Sequence, residues 1–129
     1  MKNMIFITMA LSMVILSVSS CKKEETPTAT ITFNEPLAND SIANGDSLHV
    51  EGTITGTGEL HGYTLSITNK TSGAILYTGS ASNHSDSYAF HEHWLNNVSS
   101  TSNIEVKVEV ELNHDGNKTV KAVQVVALN

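Results

Sequence analysis

Residues 104–112 read Ile-Glu-Val-Lys-Val-Glu-Val-Glu-Leu, and no other stretch restricts the fold as tightly. Apolar and charged side chains alternate there without a break. Successive side chains of a strand leave opposite faces, so Ile104, Val106, Val108, Val110 and Leu112 share one face. Glu105, Lys107, Glu109 and Glu111 take the other. A helix would scatter the same residues around its circumference. One face must be buried against a second layer while the other meets water, the condition of a strand in a two-layer antiparallel protein.

The same period returns along the chain. In residues 47–55, Leu48, Val50 and Ile54 alternate with His49, Glu51 and Thr53, and in residues 61–69 Tyr63, Leu65 and Ile67 point inward. Shorter candidates are residues 30–34, with Ile31 and Phe33 on one face, 74–79 and 87–94. The last, 118–128, is ambiguous: Val120 and Ala122 sit on one phase, Val123 and Val125 on the other, and a bulge near Ala122 would reconcile them. Turn clusters separate these runs, among them Asn44-Gly45-Asp46, Lys70-Thr71-Ser72-Gly73 and His114-Asp115-Gly116-Asn117. Asp115-Gly116 between two alternating runs predicts a type I′ hairpin, with positive φ at both central residues. No stretch shows a helical period. The reading is an all-β, seven-stranded β-sandwich over residues 29–129. Order, length and spacing resemble the immunoglobulin-like and fibronectin type III-like domains, without the cysteine pair of antibody domains; a jelly roll or small barrel is the alternative.

The first residues carry an address. Lys2 precedes an apolar run from Met4 to Val18, followed by Ser19, Ser20 and Cys21. Basic start, apolar stretch and small residues are the order of a secretory signal, and the run is short of the roughly 20 apolar residues of a membrane span. Val18-Ser19-Ser20-Cys21 resembles a bacterial lipobox, which implies cleavage after residue 20 and a lipid on Cys21. Cys21 is the only cysteine, so no intramolecular disulfide can form. Residues 21–28, with Lys22-Lys23-Glu24-Glu25 and Pro27, read as a polar tether. Lysine followed by acidic residues after that cysteine resembles the export signal of surface lipoproteins in Bacteroidota. The expected placement is the cell envelope, as an outer membrane lipoprotein exposed at the surface or facing the periplasm, anchored through Cys21 and monomeric.

Charge narrows the partners. Loss of Lys2 with the signal takes the formal charge from −6 to −7, and every basic residue is a lysine. An acidic chain without arginine lacks the counterion release and bidentate guanidinium contacts that hold phosphate, so no nucleic-acid partner is expected. Cations or neutral ligands suit it better.

Six histidines is a high count for one small domain, and none lies in the signal. Imidazole is the commonest protein ligand of zinc and copper. If the strands alternate up and down, His61, His84 and His114 all fall at one end of the sandwich, with Asp86 and Asp115 nearby. His91 and His93 form a second group: two apart on a strand, they leave the same face with α-carbons about 6.5–7 Å apart. His49 would lie near His93, with Glu51 in reach, provided the strand keeps its register through Glu92. Glu92 would then face the core, so a bulge there or a strand end near His91 is expected. The expected ligands are therefore His61, His84, His91, His93 and His114, for Zn or Cu, in a module without catalysis.

No Gly-x-Ser-x-Gly, His-Glu-x-x-His or phosphate-loop pattern occurs, and no enzyme is expected. The rival to metal capture is an adhesion or glycan-binding domain, or one that meets another envelope protein; Trp94 at a strand end reads first as a core-edge residue and is the stacking surface of that rival. Asp40-Ser41-Ile42 and Asp46-Ser47-Leu48 resemble the O-glycosylation triplet of Bacteroidota envelope proteins. The lipid cysteine and tether, His61-Gly62-Tyr63, His91-Glu92-His93-Trp94 and Asn113-His114-Asp115-Gly116 together resemble small immunoglobulin-like lipoproteins of Bacteroidota. That resemblance implies fold and address and carries no activity.

Overall fold

The computed structural model describes residues 25–129. The signal segment 1–20, Cys21 and the tether up to residue 24 lie outside the described residues.

Among the described residues eight strands follow in order: β1 (Ala29–Glu35), β2 (Ser41–Ile42), β3 (Ser47–Leu60), β4 (Gly62–Asn69), β5 (Ile75–Ala81), β6 (Ser85–Leu95), β7 (Ser102–Glu111) and β8 (Lys118–Ala127). They form two sheets, β1-β3-β6 and β2-β8-β7-β4-β5. All neighbours run antiparallel except β2 and β8, which pair in parallel. Among the described residues there is no helix. The described residues form an all-β sandwich.

The alternating runs build its core. Leu48, Val50 and Ile54 of β3 and Tyr88, Phe90 and Trp94 of β6 are buried, as are Tyr63, Leu65 and Ile67 of β4 across from them. Ile104, Val106, Val108 and Val110 of β7 have no exposed surface, and Leu112 beyond the strand is buried as well. Each such side chain contributes about 1.5–3 kcal/mol of transfer free energy. Ile31 is buried, and Phe33 packs edge-on against Phe90 at 5.5 Å. Gly52 allows that close layer: a Cβ there would come within 2.1 Å of the Thr32 carbonyl oxygen and 2.3 Å of the Phe90 ring.

Several expectations need correction. The eighth strand is β2, two residues that add a short parallel edge to β8 at Val126 and Ala127. A two-residue strand carries too little alternation to be read from sequence. β8 has no bulge near Ala122: its pairing with β7 runs without a shift from Lys118 to Ala127. The unbroken ladder prevails over the apolar phase, since a bulge leaves ladder hydrogen bonds unmade. Val123, Val125 and Ala127 therefore face inward, Val120 is left 53% exposed, and Lys121 on the inward phase donates from Nζ to the Ile31 carbonyl at 2.9 Å. The β7–β8 connection is not a type I′ hairpin. Among its residues only Gly116 has positive φ (81°), and the loop is a wider one in which Leu112 N donates to Asn117 O at 2.9 Å.

Glu92 resolves differently from either expectation. β6 stays in register with β3 through Val50–Glu92 and His49–His93, so neither a bulge nor a strand end occurs there. The Glu92 carboxylate points between the sheets, half-buried, and accepts a hydrogen bond from the Tyr77 hydroxyl of β5. That bond, reinforced by the charge of Glu92, holds the Tyr77 phenol above its ordinary pKa. Gly79 leaves room for it, since a Cβ there would lie 3.1 Å from Glu92 Oε1.

Candidate functional site

Two groups of histidines converge among the described residues. The first lies at the end of the sandwich where β3, the β5–β6 link and the β7–β8 loop meet. Its geometry starts with an irregularity in β3. Thr55 pairs with Ser87 and Leu60 with Ser85, so β3 takes five steps where β6 takes two, and residues 56–59 bulge out of the ladder. Gly56 permits the bulge, because a Cβ there would come within 2.7 Å of the Gly58 carbonyl oxygen and 2.9 Å of Leu60 Cγ. The excursion brings Leu60 back into the core with no exposed surface and leaves Glu59 on the rim.

His61, expected to open the strand, lies instead in the link, one residue before β4 begins. Its N–H donates to Glu111 O at 2.8 Å. Gly62 turns the chain at φ 125°, where a side chain would meet the Ala81 carbonyl oxygen at 2.4 Å. From β6, Tyr88 Oη lies 2.5 Å from Asn83 O in the neighbouring link and 3.2 Å from Leu60 O, which ties the segment carrying His84 to the end of β3. Burial is the main cause holding the Tyr88 phenol above its ordinary pKa. Asn113 Oδ1 accepts from Asp115 N at 3.1 Å and Asn117 N at 3.3 Å, shaping the loop that presents His114.

The three rings pack on one another. His61 stacks on His84 with centroids 4.3 Å apart, and meets His114 edge-on at 4.1 Å. One nitrogen of each ring lies within 4.8 Å of the other two. His84 Nδ1 lies 3.1 Å from Glu59 Oε1. His61 Nδ1 is the only buried side-chain polar atom without a hydrogen-bond partner among the described residues. Leaving such an atom unmatched costs about 1–3 kcal/mol. The rings border a cleft of about 960 Å³ that Thr26 and Pro27 also line. Thr26 Oγ1 accepts from Asn113 Nδ2 at 3.2 Å, so the chain enters the domain beside the histidines. Asp115 lines the cleft; Asp86 does not, and its carboxylate faces Ser87 Oγ at 3.4 Å. Glu59 is the residue that sequence reasoning missed. It lies inside the bulge, where no alternation marks which side it takes.

The second group occupies the outer face of the three-stranded sheet. His49 stands opposite His93 and Glu51 opposite His91 in the β3–β6 ladder, so all four side chains share one face. His49, His91 and His93 are exposed, and one nitrogen of each lies within 4.8 Å of the other two.

The aromatic residues offer no comparable surface. Trp94, Tyr63, Tyr88 and Phe90 are buried, and Phe33 and Tyr77 are half-buried. Trp94 packs inside the sandwich because the even positions 88, 90 and 94 of β6 take the inward face. Three nitrogens of borderline-soft imidazole suit Zn²⁺ or Cu²⁺ at either group, with bonds of about 2.0–2.1 Å to zinc. No protein-family model and no curated protein matches this chain.

Proposed function

We propose that this chain is a lipid-anchored envelope protein whose immunoglobulin-like sandwich captures a transition metal ion, Zn²⁺ or Cu²⁺, at His61, His84 and His114. The observation that carries the reading is the meeting of three imidazoles from three separate segments, one of them with a buried, unpartnered nitrogen. A metal ion would satisfy that donor set. Glu59 would hold the Nδ1 proton of His84 and direct its other nitrogen to the ion, as carboxylates behind ligating histidines do. The site binds without transforming anything.

Strand order supports the immunoglobulin-like assignment. Reading β1, β3, β4, β5, β6, β7 and β8 as the seven strands of such a domain puts the first, second and fifth in one sheet and the others in the second. The lipobox-like segment ending at Cys21 supports the anchor. Glu25 borders the histidine cleft, and the four residue steps from Cys21 to Glu25 span at most about 14 Å. The metal site would therefore face the membrane that holds the lipid.

Calorimetric titration with Zn²⁺ and with Cu²⁺ tests the reading. Replacing His84 and His114 by alanine, both exposed, should remove one bound ion per chain. Affinity in the parent should fall on acidification, because ligating imidazole must be deprotonated. Unchanged stoichiometry in the double variant would end the tip reading. Cys21→Ser should abolish metabolic labelling with palmitate; label that persists would end the anchor.

A further inference from the structure

The outer face of β3 and β6 presents a donor set that the tip does not explain. His91 Nε2 and His93 Nε2 approach to 2.8 Å. The His49 ring lies edge-on to His93 with centroids 4.4 Å apart, and 6.3 Å from that of His91. Positions two apart on one strand and the residue directly opposite on the next converge by register alone.

A second observation concerns the tautomer. Glu51 Oε1 lies 3.1 Å from His91 Nδ1. A carboxylate accepts only, so in the neutral ring the proton resides on Nδ1 and the lone pair on Nε2. That lone pair faces His93 Nε2. Either the His93 N–H donates to it, or a cation takes the place of that proton. Two zinc–nitrogen bonds meeting at a tetrahedral angle require nitrogens roughly 3.3 Å apart. Exposed rings reach that separation by opening about half an ångström.

We propose that His49, His91 and His93 form a metal centre independent of the tip, holding one Zn²⁺ through three imidazole nitrogens with water as the fourth ligand. Glu51 is its positioning residue and keeps His91 in the ligating tautomer. Glu51 is engaged by His91 and the face is open, so the fourth position falls to solvent. Three protein ligands plus water is the donor count of zinc sites that remain open to an external ligand, whereas closed structural sites use four protein ligands. None of these residues belongs to the tip group, so the two sites stand or fall separately.

The test is zinc titration of the full-length chain in detergent against a competing chelator. The parent should bind two ions, the His84→Ala/His114→Ala variant one, and addition of His49→Ala and His93→Ala should leave none. If the tip reading alone fails, the parent binds one ion that the His49/His93 changes remove and the His84/His114 changes do not. A His84→Ala/His114→Ala variant that binds no zinc, or zinc binding indifferent to His49 and His93, overturns the centre. Glu51→Gln in the tip-deficient chain should lower zinc affinity 10–100-fold. In the metal-free parent, long-range proton–nitrogen spectra should place the His91 proton on Nδ1, and Glu51→Gln should shift it toward Nε2. Parent affinity and an unchanged tautomer in that variant overturn the role of Glu51. Broadening of His91 and His93 resonances by Cu²⁺ added to the His84→Ala/His114→Ala chain is a second readout of the centre; signals that stay sharp count against it.

Discussion

The two histidine trios have the same composition and opposite constructions. On the sheet face, the ladder does everything: His49 meets His93 and Glu51 meets His91 because antiparallel register puts them opposite one another. At the tip, a glycine-dependent bulge, a link and a loop each deliver one ring, and packing against neighbours holds them. The face trio is wholly exposed, whereas the tip trio includes a half-buried ring with an orphaned nitrogen. Each trio has one histidine backed by a glutamate from β3, Glu51 on the face and Glu59 at the tip. A regular strand thus preorganises donors at little conformational cost, while loops supply burial and a cleft at the cost of more ordered backbone.

Because both sites hang on one core, a core charge should erase the difference between them. Val108→Asp places an unpaired carboxylate where the native side chain has no exposed surface, at a cost of several kcal/mol against a typical total of about 5–15. Loss of the β-type circular dichroism and of all zinc binding is expected; retained binding at either site would mean that its segment is ordered without the sandwich.

Glu59→Gln separates the trios. It should weaken metal binding at the tip 10–100-fold and leave the face unchanged, the mirror of Glu51→Gln. Equal loss at both sites would mean that the variant acts through the fold of β3 and not through His84.

Tyr77→Phe probes how firmly the face site is held from behind, since Glu92 lies between His91 and His93 in sequence and points inward. Removal of the phenol should cost about 1–2 kcal/mol in urea unfolding, because a half-buried carboxylate loses its donor. The sign of the pH effect follows from the raised pKa of Tyr77. The protonated phenol is favoured in the fold, so its contribution is complete below the ordinary tyrosine value of about 10 and is lost as pH rises through the folded value. Parent and variant should converge in stability on the alkaline side, with zinc affinity at the tip untouched.

The smallest effect is expected on the outer face of the larger sheet. Lys107 Nζ lies 2.7 Å from Glu109 Oε2, and Lys118 Nζ 3.9 Å from Oε1. The hydrogen bond from Lys107 holds the Glu109 carboxyl below its ordinary pKa and raises that of Lys107. Glu109 therefore adds stability above the ordinary carboxylate range and loses it as pH falls through its lowered folded value. Lys107→Met should cost no more than about 1 kcal/mol, as exposed ion pairs do, and should flatten the acid side of the stability profile. A larger loss would point to packing of the lysine stem.

How far sequence reasoning reached depends on the element. Strict alternation made β3, β4 and β7 legible, along with their inward residues, because a two-residue period has one physical solution. That reasoning failed at β8, where Val120 and Ala122 suggested a bulge but the ladder to β7 stayed whole. It failed again at Glu92, whose partner Tyr77 is 15 residues away on the facing sheet. Trp94 was readable as either a core or a stacking residue; only the packed sandwich placed it inside.

By itself the sequence determined that residues 29–129 are all-β and that Ile104 through Leu112 form a half-buried strand. It also determined that His91 and His93 leave one face. These follow from local geometry, which repeats every two residues regardless of what lies across the sheet. Tertiary structure decided which sheet each strand joins and that residues 56–59 leave the ladder. It also decided that His61, His84 and His114 stand within one metal ion's reach despite separations of 23 and 30 residues. Convergence of that kind depends on long-range pairing and on packing between layers, which no local period encodes.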